Sequence, residues 1–69
     1  MEKYELMEEA HLNLVNGNRR DMIKNIDDYG TSDFWPDYLH YLKCLYPVHD
    51  SVLEYFTDAT IAYFRIKGR

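Results

Sequence analysis

Val52-Leu53-Glu54-Tyr55-Phe56-Thr57-Asp58-Ala59-Thr60-Ile61-Ala62-Tyr63-Phe64-Arg65-Ile66 is the stretch on which the fold turns. With residues advancing by about 100° around a helix, Val52, Tyr55, Phe56, Ala59, Ala62, Tyr63 and Ile66 form one apolar stripe. Leu53, Thr57, Ile61 and Phe64 form a second on another side, and Glu54, Asp58 and Arg65 make the one continuous polar strip. A helix that is apolar on two sides needs two partners. In a short chain these are either the other helices wrapped around it or a second copy of the protein. The expectation is therefore a central C-terminal helix, with Leu53, Ile61 and Phe64 as the interface of a homodimer if one forms.

Working outward, Ser51-Val52-Leu53-Glu54 has the form of a capping box, with the serine side chain taking one orphan N–H and the glutamate reaching back to another. Pro47 separates this helix from an aromatic one in which Phe34, Trp35, Tyr38, Leu39, Tyr41, Leu42, Leu45 and Tyr46 fill a wide arc. Asp33, Asp37, His40, Lys43 and Cys44 fall on its wet side, and Pro36 is expected in its first turn, where a missing N–H costs nothing. Gly17 and Gly30 read as C-caps of two earlier helices. Asn18 with Asp21, and Thr31-Ser32-Asp33, are the start signals that follow them. The first helix carries Tyr4, Leu6, Met7, Ala10, Leu14 and Val15 on one broad side, and the second a narrow stripe of Met22, Ile26 and Tyr29 with Ile23 alongside, Asn25 being placed on its polar side. The spacing thus predicts an all-α single domain over residues 1–69, with four short helices near 2–15, 18–29, 33–46 and 51–66.

A chain of 69 residues buries only about 60% of the surface its unfolded form exposes, so stability is marginal and a dimer partner would help. With 46% hydrophobic residues it is no disordered tail, and it has no run of about 18 apolar residues to span a membrane. Met1-Glu2-Lys3-Tyr4-Glu5 lacks the layout of a secretory signal, and the single cysteine, Cys44, allows no internal disulfide. These features place the protein in a reducing cytoplasm. Tyr4, Tyr29, Tyr38, Tyr41, Tyr46, Tyr55 and Tyr63 are more tyrosines than a small core can bury with every hydroxyl satisfied, which points to a protein contact.

The net charge is −4, and its distribution says more than its sum. Between residues 25 and 64 stand Asp27, Asp28, Asp33, Asp37, Asp50, Glu54 and Asp58 against Lys43 alone. Phosphate contacts need a basic stripe, so direct nucleic-acid binding is disfavoured. Arg65, Lys67 and Arg69 complement the dipole of the last helix, while Arg19 and Arg20 oppose that of the second. Carboxylates at helical spacing suit the basic groove of a nucleic-acid-handling protein, or keep the chain soluble. In size, charge and aromatic content the chain resembles the small acidic accessory proteins and host-defence inhibitors made by bacteriophages and other mobile elements, a resemblance that assigns no residue.

No pattern for catalysis or a cofactor emerges. Asp37, His40 and Cys44 share a helix face, but a metal would want a fourth ligand, and as base and nucleophile His40 and Cys44 would lack an oxyanion hole. His11 falls within the apolar arc of the first helix, and His49 in an exposed loop. Glu8-Glu9 and Asp27-Asp28 are splayed around their helices and cannot act together on one bond. The expected function is non-catalytic binding of another protein, as an adaptor or inhibitor, through Asp33, Trp35, Asp37, Tyr38 and Tyr41. The alternative is a small dimeric nucleic-acid-associated regulator that uses Arg19, Arg20, Arg65, Lys67 and Arg69. No membrane contact, metal or cofactor is expected.

Overall fold

A computed structural model describes residues 2–67, with side chains for 2–65. Among them all regular structure is helical: α1 (Lys3–Val15), α2 (Arg19–Tyr29), α3 (Thr31–Leu45) and α4 (Asp50–Lys67). The predicted all-α class and helix count hold. The chain divides into two compact units, residues 1–34 and 35–69, with the division inside α3.

In the first unit α1 and α2 pack together. Gly17 adopts φ +76°, the left-handed conformation that L side chains rarely take. That geometry lets the Asn18 N–H reach Asn13 O at 2.8 Å and the Gly17 N–H reach Leu14 O at 3.1 Å, the paired bonds of a Schellman motif. The chain then reverses, and Met7, Ala10 and His11 of α1 are buried along with Met22, Asn25 and Ile26 of α2. This face of α1 is narrower than the periodicity suggests, since Tyr4 and Val15 are exposed at 62% and 66%. Asn25 is a correction: it faces inward, because it lies three residues after Met22 on the seam. The Lys3 ammonium sits 5.2 Å from the Tyr29 ring centroid, a cation–π contact between the helices. Phe34, fully buried, meets Tyr29 edge-on at 5.7 Å.

α3 begins two residues earlier than its polar start signal suggests. The Gly30 carbonyl accepts the Asp33 and Phe34 N–H groups at 3.0 and 2.9 Å, so one glycine ends α2 and starts α3. Its φ of +110° makes the turn possible without an intervening loop. Pro36 consequently lies inside the helix, beyond the first turn.

In the second unit, Tyr38, Tyr41 and Leu42 of α3 are buried, as are Leu53, Thr57 and Thr60 of α4. The two threonines are tolerable there because each hydroxyl donates to the carbonyl four residues earlier, Thr57 to Leu53 and Thr60 to Phe56, both at 2.8 Å. Trp35 joins the helices: its ring meets Tyr38 edge-on at 5.9 Å and Phe64 of α4 at 6.1 Å. Tyr38 in turn stacks on Tyr41 at 6.4 Å. The expected capping box at Ser51 is replaced. α4 starts at Asp50, and the ring Nδ1 of His49 accepts the Ser51 N–H at 3.1 Å, doing the work assigned to the serine side chain. α4, expected to be central, buries one of its two apolar sides and leaves the other in solvent.

Candidate functional site

The residues expected to hold a partner divide by depth. Asp33 and Asp37 are exposed and Trp35 is half-buried. Tyr38 is fully buried and Tyr41 is 9% exposed, so both belong to the core and neither is a surface anchor. The cause is their spacing with Phe34 and Leu42, which puts all four on the side of α3 that faces inward. Burial pushes the Tyr38 hydroxyl far above the ordinary tyrosine range, with Tyr46 and Tyr41 adding to the effect, so it remains neutral.

The proposed dimer residues are relocated in the same way. Leu53 is 6% exposed, Ile61 and Phe64 are half-buried, and Phe64 is the side chain against Trp35. This stripe packs within the second unit. The other stripe is the exposed one: Val52 at 55%, Tyr55 at 77%, Phe56 at 42% and Tyr63 at 46%, with Ala59 and Ala62 also exposed. Ile66, in the same stripe by sequence, has its side chain outside the described residues. No signal within the helix separates the two sides; Thr57 and Thr60 tolerate burial because each hydroxyl bonds its own helix.

The charged groups sort by sign. All seven carboxylates between residues 25 and 64 are exposed, and Lys43 lies 3.7 Å from Asp50 in an ion pair. Such a surface pair contributes little stability, though it occupies the segment's lone cation. Of the basic residues, Arg20 and Arg65 are exposed, whereas Nε and Nη2 of Arg19 are shielded from solvent. Arg19 as a whole is half-buried. The Lys67 side chain and Arg69 lie outside the described residues.

On the wet side of α3, Cys44 Sγ stands 3.9 Å from His40 Nε2, both exposed. Among the described residues no three His, Cys, Asp or Glu side chains gather around a point where a metal ion would sit. An open polar hollow lies between α1 and α2, lined by Glu9, Asn13, Asp21, Lys24, Asn25 and Asp28. Asn25 organises it: its side-chain N–H donates to Glu9 Oε2, and its Oδ1 accepts from Asn13 Nδ2, both at 2.6 Å. Among the described residues no helix is long and apolar enough to cross a membrane.

His11, 8% exposed, is the buried titratable group of α1. Burial holds its pKa below the ordinary 6.5, because the interior disfavours the imidazolium. Below pH 6.5 the unfolded chain binds a proton that the folded chain does not. Stability therefore falls as pH drops from 6.5 through the folded-state value, and His11 contributes no slope above that window. Urea midpoints measured from pH 7.5 to 5 check this. His11→Leu is expected to flatten the decline, and an unchanged slope would assign it to other groups.

No protein-family model matches the chain, and comparison with curated proteins and with solved structures finds no match.

Proposed function

We propose that the chain is a non-catalytic protein-binding module, an adaptor or inhibitor that engages a basic surface on another protein. The observation that carries this reading is the exposure of every carboxylate from Asp27 to Asp58 while Lys43, the single cation among them, is paired with Asp50. Carboxylates held on helices and left in solvent create a negative field that steers a basic partner and competes for its phosphate-binding groups. Asp33 and Asp37 share one exposed face of α3, and the half-buried Trp35 lies on another side of the same helix. Trp35, Asp37 and Asp33 remain the proposed contact residues, with the buried Tyr38 and Tyr41 supporting them from behind. A location in a reducing cytoplasm and a mobile-element origin belong to the same proposal, resting on the single exposed cysteine and on size and charge.

Affinity capture from the native host at low and high salt tests it, with Asp33→Lys/Asp37→Lys as the comparator. The expected captured proteins are basic, are released as salt rises and are lost with the charge-reversed chain. Identical capture by both chains would sink the reading. So would direct binding of duplex DNA that weakens steeply with ionic strength, which is the behaviour of a nucleic-acid-binding protein.

A further inference from the structure

We propose that His40 and Cys44 form half of a zinc site, which the same two residues of a second copy of the chain complete. They lie four residues apart on the wet side of α3, so one turn of helix sets them side by side. Cys44 Sγ stands 3.9 Å from His40 Nε2, and both side chains are exposed. With Zn–S near about 2.3 Å and Zn–N near about 2.0 Å, two ligands of one tetrahedral zinc ion stand about 3.5 Å apart. Small torsions of two surface side chains close that gap.

The chemistry of the pair selects the ion. Thiolate and imidazole are the donors that suit zinc, whereas magnesium and calcium take oxygen ligands. The pair also occupies the C-terminal part of α3, where the negative pole of the helix dipole favours a cation. Lys43, the neighbour of Cys44 in sequence, is engaged by Asp50 at 3.7 Å.

The coordination shell selects a second copy. Among the described residues no third His, Cys, Asp or Glu joins the pair to make a complete site. Cys44 is the chain's one cysteine, His11 is buried in the first unit, and His49 Nδ1 is committed to the start of α4. Structural zinc takes four protein ligands, and two cysteines with two histidines are one of its usual sets. Two identical halves related by a two-fold axis through the metal supply that set, with no ligand missing and none left over. Charge makes the pairing conditional on the ion. Metal-free copies at −4 each repel, while the two thiols, on giving up their protons to solvent, balance the charge of Zn²⁺.

The test is sedimentation equilibrium of the full chain, kept reduced with a phosphine, as zinc sulfate is titrated in and then removed with a chelator. Wild type is expected to move from 8.3 kDa to twice that mass at one zinc per two chains, and to return when the chelator is added. Cobalt(II) in place of zinc is expected to give the intense visible bands of a tetrahedral ion and a thiolate charge-transfer band in the near ultraviolet. Cys44→Ser and His40→Ala, both at exposed positions, are each expected to keep the far-UV circular dichroism of wild type, stay monomeric in zinc and lose at least about tenfold in zinc affinity, since even an outer-shell partner is worth that much. Asp37→Asn, on the same face, is expected to bind and pair as wild type does. A chain that stays monomeric in zinc overturns the proposal, as does a zinc-dependent dimer that survives Cys44→Ser. A dimer formed without zinc under reducing conditions overturns the role of the metal, and loss of binding with Asp37→Asn overturns the ligand set. The acidic-module reading does not depend on any of these results, because it rests on charge steering and needs no metal.

Discussion

Phe34→Ala is expected to leave the chain largely unfolded at 25 °C. The side chain is fully buried at the start of α3, and its ring meets Tyr29 edge-on at 5.7 Å. Truncating a buried phenylalanine removes its transfer free energy and leaves a cavity, together about 3–5 kcal/mol. A core in a chain of this size supplies only about 3–5 kcal/mol in total, so the loss and the reserve are of the same size. Urea denaturation followed by far-UV circular dichroism measures it, with Tyr55→Ala as the control. Tyr55 is 77% exposed and its truncation is expected to cost under about 0.5 kcal/mol. A Phe34→Ala chain with the wild-type midpoint would mean that α3 does not dock through this ring.

Asn25→Ala is expected to destabilise the first unit by about 1–2 kcal/mol. Asn25 is 5% exposed and fully engaged on both ends of its amide, donating to Glu9 and accepting from Asn13. Removing it strands a donor and an acceptor, which ordinarily costs about 1–3 kcal/mol. Glu9 is exposed and can turn to water, which holds the figure to the lower part of that range. Asn25→Asp is expected to be worse than Asn25→Ala at neutral pH. It puts a carboxylate where an N–H donor stood, 2.6 Å from the Glu9 carboxylate, so attraction becomes repulsion. The same denaturation measurement ranks the two variants. If Asn25→Asp is as stable as wild type, the amide does not bridge α1 and α2.

The two results would fall on opposite sides of what could be read from residues alone. Phe34 is legible: it heads the series Phe34, Tyr38, Leu42, and that spacing places it inward whichever helix it meets. Asn25 is not. On a wheel it sits at the border of the α2 stripe, and its polarity argues for solvent until Glu9 and Asn13, twelve to sixteen residues earlier, are brought alongside. The helix starts show the same limit over shorter range. Thr31-Ser32-Asp33 and Ser51 are sound start signals, yet α3 begins on the Gly30 carbonyl and α4 on the His49 ring. Local chemistry offered more than one cap, and the backbone path chose between them.

The candidate surface divides along the same line. Exposure of Asp27, Asp28, Asp33, Asp37, Asp50, Glu54 and Asp58 followed from charge, since burying unpaired carboxylates is prohibitively costly. For Tyr38 and Tyr41 composition does not separate a core role from a contact role, because tyrosine suits both.

Four helices, their breaks at Gly17, Gly30 and Pro47, the acidic exterior and the doubly apolar character of α4 were all determined by the sequence itself. Each rests on residue type and spacing within a single helix or turn. Which side of α4 turns inward was decided only in the tertiary structure. The side with two threonines is the one buried: Phe64 on that side meets Trp35, and the threonine hydroxyls tolerate burial by bonding the preceding turn. Val52, Phe56 and Tyr63 were left outside by that choice. Both stripes are apolar enough to be buried, and the free energy that separates them lies in partners that no single helix contains.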